Sequence, residues 1–297
     1  MIAPKITFRD ALKTKDFVVT ANVNLGNAPT AEAVIQQGKI LQPMVDAVQL
    51  TDNPGAQVHM AALAAAALLL QEGIDPIINM SCRDRNRIAL QSDLIGAAAL
   101  GVTSMLLMRG DRIPKNMQPK LKGVFDTRAP ELMEFIKTMQ DAEEVPLFYD
   151  IFVGTVATVF DAAADWTPDK LARKADAGAN FVLTQICFDM KILRNYMDRM
   201  LQSKLTHKLW FIVALSPLPS AEVARWMRDN MQGALMPDSV VTRMEQAADP
   251  EQEGIDICAE LLQELATISG VSGANLLTLG NLETIPAAID ASGVRKP

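Results

Sequence analysis

The stretch from Asp75 to Asp111 constrains the fold of this chain more than any other. It opens on a short, isoleucine-rich apolar run at 76–80 and passes through a polar cluster at 81–87. Leu90, Leu94, Ala97 and Ala98 then recur at the helix period and define one apolar face. Asp84 is placed to cap that helix at its start, and Gly101 to end it. A second apolar run at 104–108 ends on Arg109, Gly110 and Asp111. Strand, helix and strand in that order predict a parallel pair joined by a right-handed crossover. Both strands then end at one edge, where α/β proteins place their chemistry.

The same unit recurs along the chain. Apolar strands are expected at 17–21, 47–50, 76–80, 104–108, 146–153, 181–184, 209–215 and 274–279. Helical patterns fall between them at 32–44, 56–71, 130–141, 168–177 and 190–201, then at 220–230, 237–247 and 251–268, with a last one at 284–291. No linker or composition shift interrupts the series, so residues 1–297 are expected to form one (β/α)8 TIM barrel. A doubly wound open sheet is the competitor. Neither a GxGxxG nor a P-loop follows the first strand, which favours the barrel. The segment 112–125, basic and broken by Pro114, Pro119 and Gly123, is long for a connection, and such loops tend to be functional.

Composition narrows the function classes. A net charge of −7 without Lys/Arg blocks argues against nucleic acid or an anionic membrane as partner. Cys82, Cys187 and Cys258 are odd in number and widely spaced, so neither a disulfide framework nor a structural zinc site is indicated. The charged N-terminal stretch does not read as a signal peptide, and the longest apolar run, 60–70, is too short for a bilayer. A cytoplasmic protein is the expectation.

In a barrel the functional candidates lie at the carboxyl ends of strands: Asn22, Thr51, Asp52, Ser81, Cys82, Arg109, Asp111, Gln185, Ser216 and Asn281. The two histidines fall elsewhere, His59 inside a helix and His207 before a strand at the opposite edge. That removes histidine triads and His-rich metal sites. The Arg109-Gly110-Asp111 turn is the sharpest local signal. Gly110 lets a ligand approach the backbone, Arg109 supplies a cationic fork, and Asp111 can accept from a heterocycle's N–H groups. An ordinary turn with an internal Arg109–Asp111 ion pair reads the same residues equally well. Gln185 is either a ligand-binding amide or a satisfied polar group of the barrel mouth.

Three stretches carry a family resemblance: LMRGD at 107–111, ADAGANFVLTQICFD at 175–189 and CRDRNRIALQSDL at 82–94. They resemble methylenetetrahydrofolate reductases. The last, with VVTA from Val18, AVQLTDN from Ala47 and KGVFD from Lys122, is similar to the branch found in the folate-linked one-carbon metabolism of acetogenic bacteria. The resemblance runs over nearly the whole chain. It implies a (β/α)8 barrel binding FAD and a folate at its carboxyl face, with NAD(P)H as electron donor. Asp111 would contact the pterin and tune the flavin, and Gln185 would hydrogen-bond the folate. Thr51, Ser81, Arg109, Gly110, Arg173 and Lys174 would fall on the flavin. Arg173 and Lys174 also suit the C-terminal end of their helix with no ligand.

The chain departs from the family pattern at the chemistry itself. The family's first strand ends on a glutamate that acts as general acid in opening the folate's five-membered ring, and here that position is Asn22. Asparagine can hydrogen-bond but supplies no proton at neutral pH. Thr158-Val159 stands for the family's His-Pro or Asn-Pro beside the flavin, and Asn79 for its histidine after the third strand. The leading expectation is interconversion of 5,10-methylene- and 5-methyltetrahydrofolate, with Asp111 and Asn22 as the positions nearest the chemistry and a compensating acid such as water or Asp52. The oxidative direction is the other way to accommodate Asn22. The alternative is a folate-binding partner subunit of a methyltransferase or electron-transfer complex with little reductase activity. A homo-oligomer or such a partner assembly is expected.

Overall fold

The computed structural model describes residues 6–26, 30–115, 117, 120–142 and 151–295. Eight parallel strands close into a barrel in sequence order, β1 Val18–Val23, β2 Ala47–Leu50, β3 Pro76–Ser81, β4 Ser104–Met108, β5 Phe152–Ala157, β6 Phe181–Ile186, β7 Trp210–Leu215 and β8 Val271–Leu276. The ring shuts where Val18 to Ala21 pair with Gly273 to Leu276. Around it lie α1 Phe8–Thr14, α2 Ala31–Leu41, α3 Ala62–Gln71, α4 Arg87–Leu100, α5 Ala129–Asp141, α6 Asp169–Asp176, α7 Met190–Gln202, α8 Ala221–Asn230, α9 Asp238–Gln246, α10 Pro250–Leu265 and α11 Thr284–Ser292. This is the expected (β/α)8 TIM barrel.

Strand alternation sorts the side chains into two cores. Outward residues such as Val19, Val48, Ile78, Leu107, Val182 and Val213 pack against the helices. Inward residues Ala47, Ile77, Leu106, Phe152, Phe181 and Ile212 form a separate cluster with Phe8, Ala11 and Leu12 of α1. The short N-terminal helix therefore plugs the barrel's amino end. Phe8 stands edge-on to Phe181, centroids 5.1 Å apart, while Phe152 and Phe181 stack at 5.3 Å. Gly154 is needed here, because a Cβ would overlap the Phe181 ring. The plug is tied down by Phe8 N, which donates to Asp75 Oδ2 at 2.7 Å.

One layer higher the interior turns polar. Thr20 Oγ1 donates to Asn275 Oδ1 at 2.8 Å, Asn275 Nδ2 donates to Asn22 Oδ1 at 3.0 Å, and Gln49 Nε2 donates to Asn79 Oδ1 at 2.8 Å. These pairings engage the amides of the barrel interior, while Ser104 Oγ, Thr155 Oγ1 and Asp75 Oδ1 are buried without a hydrogen-bond partner among the described residues.

Several local expectations are corrected. The helix after β3 is capped by Asn86, whose side chain accepts from Ala89 N, and not by Asp84, whose carboxylate is taken by Arg83. Gly101 ends that helix at φ +89°, as its position implies. The helix expected from 56 begins only at Ala62, since Pro54–Ala56 forms a 3₁₀ turn containing Gly55 at φ +60°. His59 consequently lies in an irregular segment and not in a helix. The fifth strand spans Phe152–Ala157; of the expected 146–153 run, residues 146–150 lie outside the described residues. The last strand spans Val271–Leu276, three residues before the expected span, and Asn22 is the penultimate residue of β1. Strand alternation alone cannot fix such ends, which caps and turns decide.

Candidate active site at the barrel mouth

Loops following β2, β3 and β4 build one wall of the mouth. Gly110 has φ +90°, and a Cβ there would overlap Ser81 Oγ and lie 2.9 Å from Arg83 Cβ. Only glycine lets the β4 turn close on the end of β3. Arg109 and Asp111, flanking it, do not pair with each other. Arg109 lies over the Phe125 ring, 4.7 Å from its centroid, and Asp111 Oδ2 accepts from Gly55 N at 2.8 Å. The internal ion pair is therefore not what orders this turn. Asp111 is exposed and Ser81 buried, with Ser81 Oγ accepting from Arg83 N at 3.1 Å. Thr51, half-buried, stands at the end of β2 beside Asp52.

Asp52 lies in this wall with its side chain 5% exposed. Burial pushes its carboxyl above the usual range, against the pull of the Arg85 guanidinium and the Ser81 N–H, which donates at 2.7 Å. Arg85 joins it to Asp93, 3.0 Å away. Cys82, fully buried next to Ser81, has its thiol pushed up to about 11 by burial, so it is no nucleophile at neutral pH.

A second wall comes from β5 and β6. The β6–β7 register breaks between Leu183 and Ile186, and Thr184 Oγ1 bridges the break by accepting from Ala214 N and donating to the Gln185 carbonyl. Such irregularities re-aim a side chain. The half-buried Gln185 side-chain amide has no hydrogen-bond partner among the described residues. Gly233, at φ +82°, sits where a Cβ would be 2.8 Å from Thr158 Cγ2 and 3.2 Å from Gln185 Cγ. Its segment is stitched to the end of β6 by Leu235 N donating to Ile186 O and Phe188 N to Leu235 O.

Beside this wall lies a cleft of about 600 Å³ lined by Thr158, Phe160, Trp166, Arg173, Lys174 and Tyr196, among others. Phe160, Trp166 and Tyr196 form an aromatic cluster with centroids 5.0–5.8 Å apart. Lys174 is not a solvated charge. Its Nζ donates to Val156 O at 2.8 Å, and burial holds its pKa below the usual lysine value. Arg173 Nε points back to Asp169 O at 3.4 Å. Two cations and an aromatic cluster line one cleft, a set of groups that fits the anionic and planar parts of a dinucleotide such as FAD. Asn22, on β1 next to β8, belongs to neither wall, and its contact is with Asn275. No group of three or more His, Cys, Asp or Glu that could hold a metal occurs among the described residues.

Arg83 was not legible as a site residue. Its sequence setting is a run of polar residues, and nothing there separates a solvated arginine from one that is 1 % exposed. The 231–236 segment was also missed, lying between two ordinary helical patterns.

A family profile for methylenetetrahydrofolate reductase matches residues 13–293. The chain belongs to the methylenetetrahydrofolate reductase family. Among curated relatives, a probable methylenetetrahydrofolate reductase (NADPH) of Caenorhabditis elegans is 22% identical over 252 residues, covering 81% of this chain and 35% of that protein. The 5,10-methylenetetrahydrofolate reductases of Salmonella typhimurium and Escherichia coli are 25% and 24% identical over 230 residues, covering 75% of this chain and 72% of theirs. The chain thus spans about a third of the length of the nematode relative. Among solved structures, ligand-free tryptophan synthase from M. tuberculosis superposes with a TM-score of 0.52 at 13% identity, covering 96% of each chain. A 2,3-dimethylmalate lyase superposes with a TM-score of 0.50 at 13% identity, covering 92% of this chain and 81% of the other. These two likenesses are of fold alone. No helix among the described residues is long and apolar enough to cross a membrane.

Proposed function

We propose that this chain is a flavin-dependent oxidoreductase that interconverts 5,10-methylene- and 5-methyltetrahydrofolate, with NAD(P)H as the electron donor. The observation that carries the reading is the company kept at one rim of the barrel. A carboxylate after an Arg-Gly turn, an unpartnered amide at a strand irregularity and a cationic, aromatic cleft stand at the strand ends of a chain matched to the reductase family from residue 13 to 293. Bound FAD would supply hydride transfer to or from the one-carbon unit, chemistry that no side chain provides.

The chain's own residues bind, orient and handle protons. Asp111 accepts from the pterin N–H groups, with its other oxygen held by Gly55 N. Gln185 donates to and accepts from the folate. Arg173 and Lys174 hold the anionic part of the flavin nucleotide, while Thr51, Ser81, Arg109 and Gly110 line its remainder. Asn22 orients but cannot protonate the ring nitrogen whose release opens the five-membered ring. Asp52, whose carboxyl burial pushes above the usual range, takes that role.

A second reading, a folate-binding partner subunit with little turnover of its own, draws on Asn22 at the family's acid position. Steady-state assay in both directions at measured flavin content separates the two. NAD(P)H-dependent reduction of methylene-folate that falls at least tenfold in Asp52→Asn supports the reductase. Tight folate binding without turnover in either direction supports the partner subunit.

A further inference from the structure

Arg83 heads the fully buried side chains by volume, and it backs the turn that carries Asp111. A guanidinium in that position must be paired. Its Nε and one terminal nitrogen donate to the two oxygens of Asp84 at 2.6 and 2.7 Å, and that same nitrogen donates to the Asn53 carbonyl at 2.8 Å. The other terminal nitrogen is buried without a hydrogen-bond partner among the described residues. The hydrogen bond to Asp84 raises the Arg83 pKa first, burial opposes it, and the charges of Asp84, Asp111 and Asp52 add to the rise. The main chain is engaged too, with Arg83 N donating to Ser81 Oγ at 3.1 Å and Arg83 O accepting from Val124 N at 2.7 Å.

Four segments of the mouth therefore converge on one residue: the loop after β2, the turn after β3, the Gly110 turn and the irregular segment at Val124. The loop after β2 is the one that reaches Asp111. Asn53 lies at φ +48° and Gly55 at φ +60°, a left-handed path that side-chain residues rarely take unless something holds it. The Asn53 carbonyl accepts from Arg83 at 2.8 Å and from Ala56 N of its own turn at 3.1 Å, its amide donates to Asp84 at 3.4 Å, and its Oδ1 accepts from His59 N at 3.0 Å. Two residues along that path, Gly55 N meets Asp111 Oδ2.

We propose that Arg83 is the positioning residue for Asp111, fixing the Asn53–Gly55 path so that the Gly55 N–H holds one carboxylate oxygen and leaves the other free for the substrate heterocycle. This rests on the reading of Asp111 as the folate-contacting carboxylate. Arg83 touches no substrate; it acts through the loop.

The test uses two readouts on the purified full chain, one of them independent of folate. Amide deuterium exchange in the 53–59 segment rises at least tenfold in Arg83→Met while the barrel strands keep their protection. Arg83→Lys, which keeps the charge but lacks the planar fork that reaches Asp84 and Asn53 together, falls between. The dissociation constant for 5-methyltetrahydrofolate weakens at least tenfold in Arg83→Met, and by less than twofold when the same change is made on Asp111→Ala, which has no acceptor for Gly55 N, because the two act in series. Unchanged exchange at 53–59 overturns the proposal. So does a binding loss of equal size in both backgrounds, which would mark Arg83 as general packing. If wild type binds no folate, the functional reading fails and the exchange measurement alone decides the structural claim. If Arg83→Met does not fold, Arg83→Lys carries the same two comparisons.

Discussion

Asn275 Nδ2 donates to Asn22 Oδ1 at 3.0 Å, so Asn22, which the family resemblance sets at the position of a general acid, serves as an acceptor inside the barrel. Thr20 backs Asn275 through its hydroxyl, which fixes the direction of the chain toward the mouth. A carboxylate at position 22 would accept the same N–H. Asn22→Glu, which adds a second acid beside Asp52, is expected to raise kcat/KM for methylene-folate reduction at least tenfold, within the about 10²–10⁴ that general acids contribute, and kcat/KM for the oxidative direction by the same factor, because the group acts as base in the reverse step. Rates in both directions, at equal flavin content, check this. No gain in either direction would remove position 22 from proton transfer.

Asp111→Ala should abolish folate turnover with little effect on the fold. The side chain is exposed and its described partner is the single N–H of Gly55. Surface changes of this kind alter stability little, so the melting temperature should move by no more than about 3 °C. Asp111→Asn retains an acceptor for Gly55 and is expected to keep folate binding better than Asp111→Ala. Near-wild-type turnover in Asp111→Ala would take this residue out of the site.

Much of this arrangement is legible in the sequence. Apolar runs ending in polar groups gave eight strands and the edge where chemistry belongs, because a parallel strand buried on both faces leaves a continuous apolar signature. Gly110 was readable as a close-approach glycine, although what approaches is Ser81 and Arg83. The plug helix Phe8–Thr14 went unread, since seven residues with Phe8, Ala11 and Leu12 on one face give too short a period to stand out. Lys174 read equally well as a solvated charge; only the tertiary fold brings Val156 O to its ammonium. The loop after β2 was misread as helix because apolar and small residues continue through it, whereas Pro54 and the left-handed Asn53 and Gly55 set its path.

Gln185→Ala is expected to act on binding. The amide has no protein partner among the described residues, so substrate contacts are what the change removes. Leaving a buried folate polar group unpaired costs about 1–3 kcal/mol, which corresponds to a rise in KM of roughly 5- to 150-fold with kcat changed by less than threefold. Initial-rate kinetics across a folate titration distinguish the two parameters. A fall in kcat at unchanged KM would contradict the assignment.

Asp75 gives the fold a pH dependence of its own. Burial pushes its carboxyl up to about 7, against the Phe8 N–H that favours the charged form, and Oδ1 has no partner. The folded state therefore holds this proton more tightly than the unfolded chain, whose carboxyl titrates near 3.8. Its contribution to stability is complete below about pH 4 and is lost as pH rises toward about 7. Asp75→Asn keeps an acceptor for Phe8 N and removes the titration. The difference in unfolding free energy between variant and wild type should grow in the variant's favour from pH 4 to pH 7. A constant difference would mean that Asp75 is ionised throughout.

The central claim is that this barrel mouth passes electrons between a bound flavin and a folate. Anaerobic addition of 5-methyltetrahydrofolate to the purified, FAD-loaded chain, followed by its visible spectrum, tests that claim most directly. The account predicts loss of the oxidised-flavin absorbance on mixing, with the effect absent in Asp111→Ala at equal flavin content. A spectrum unchanged by saturating methyl-folate, in a chain shown to bind both flavin and folate, would contradict it.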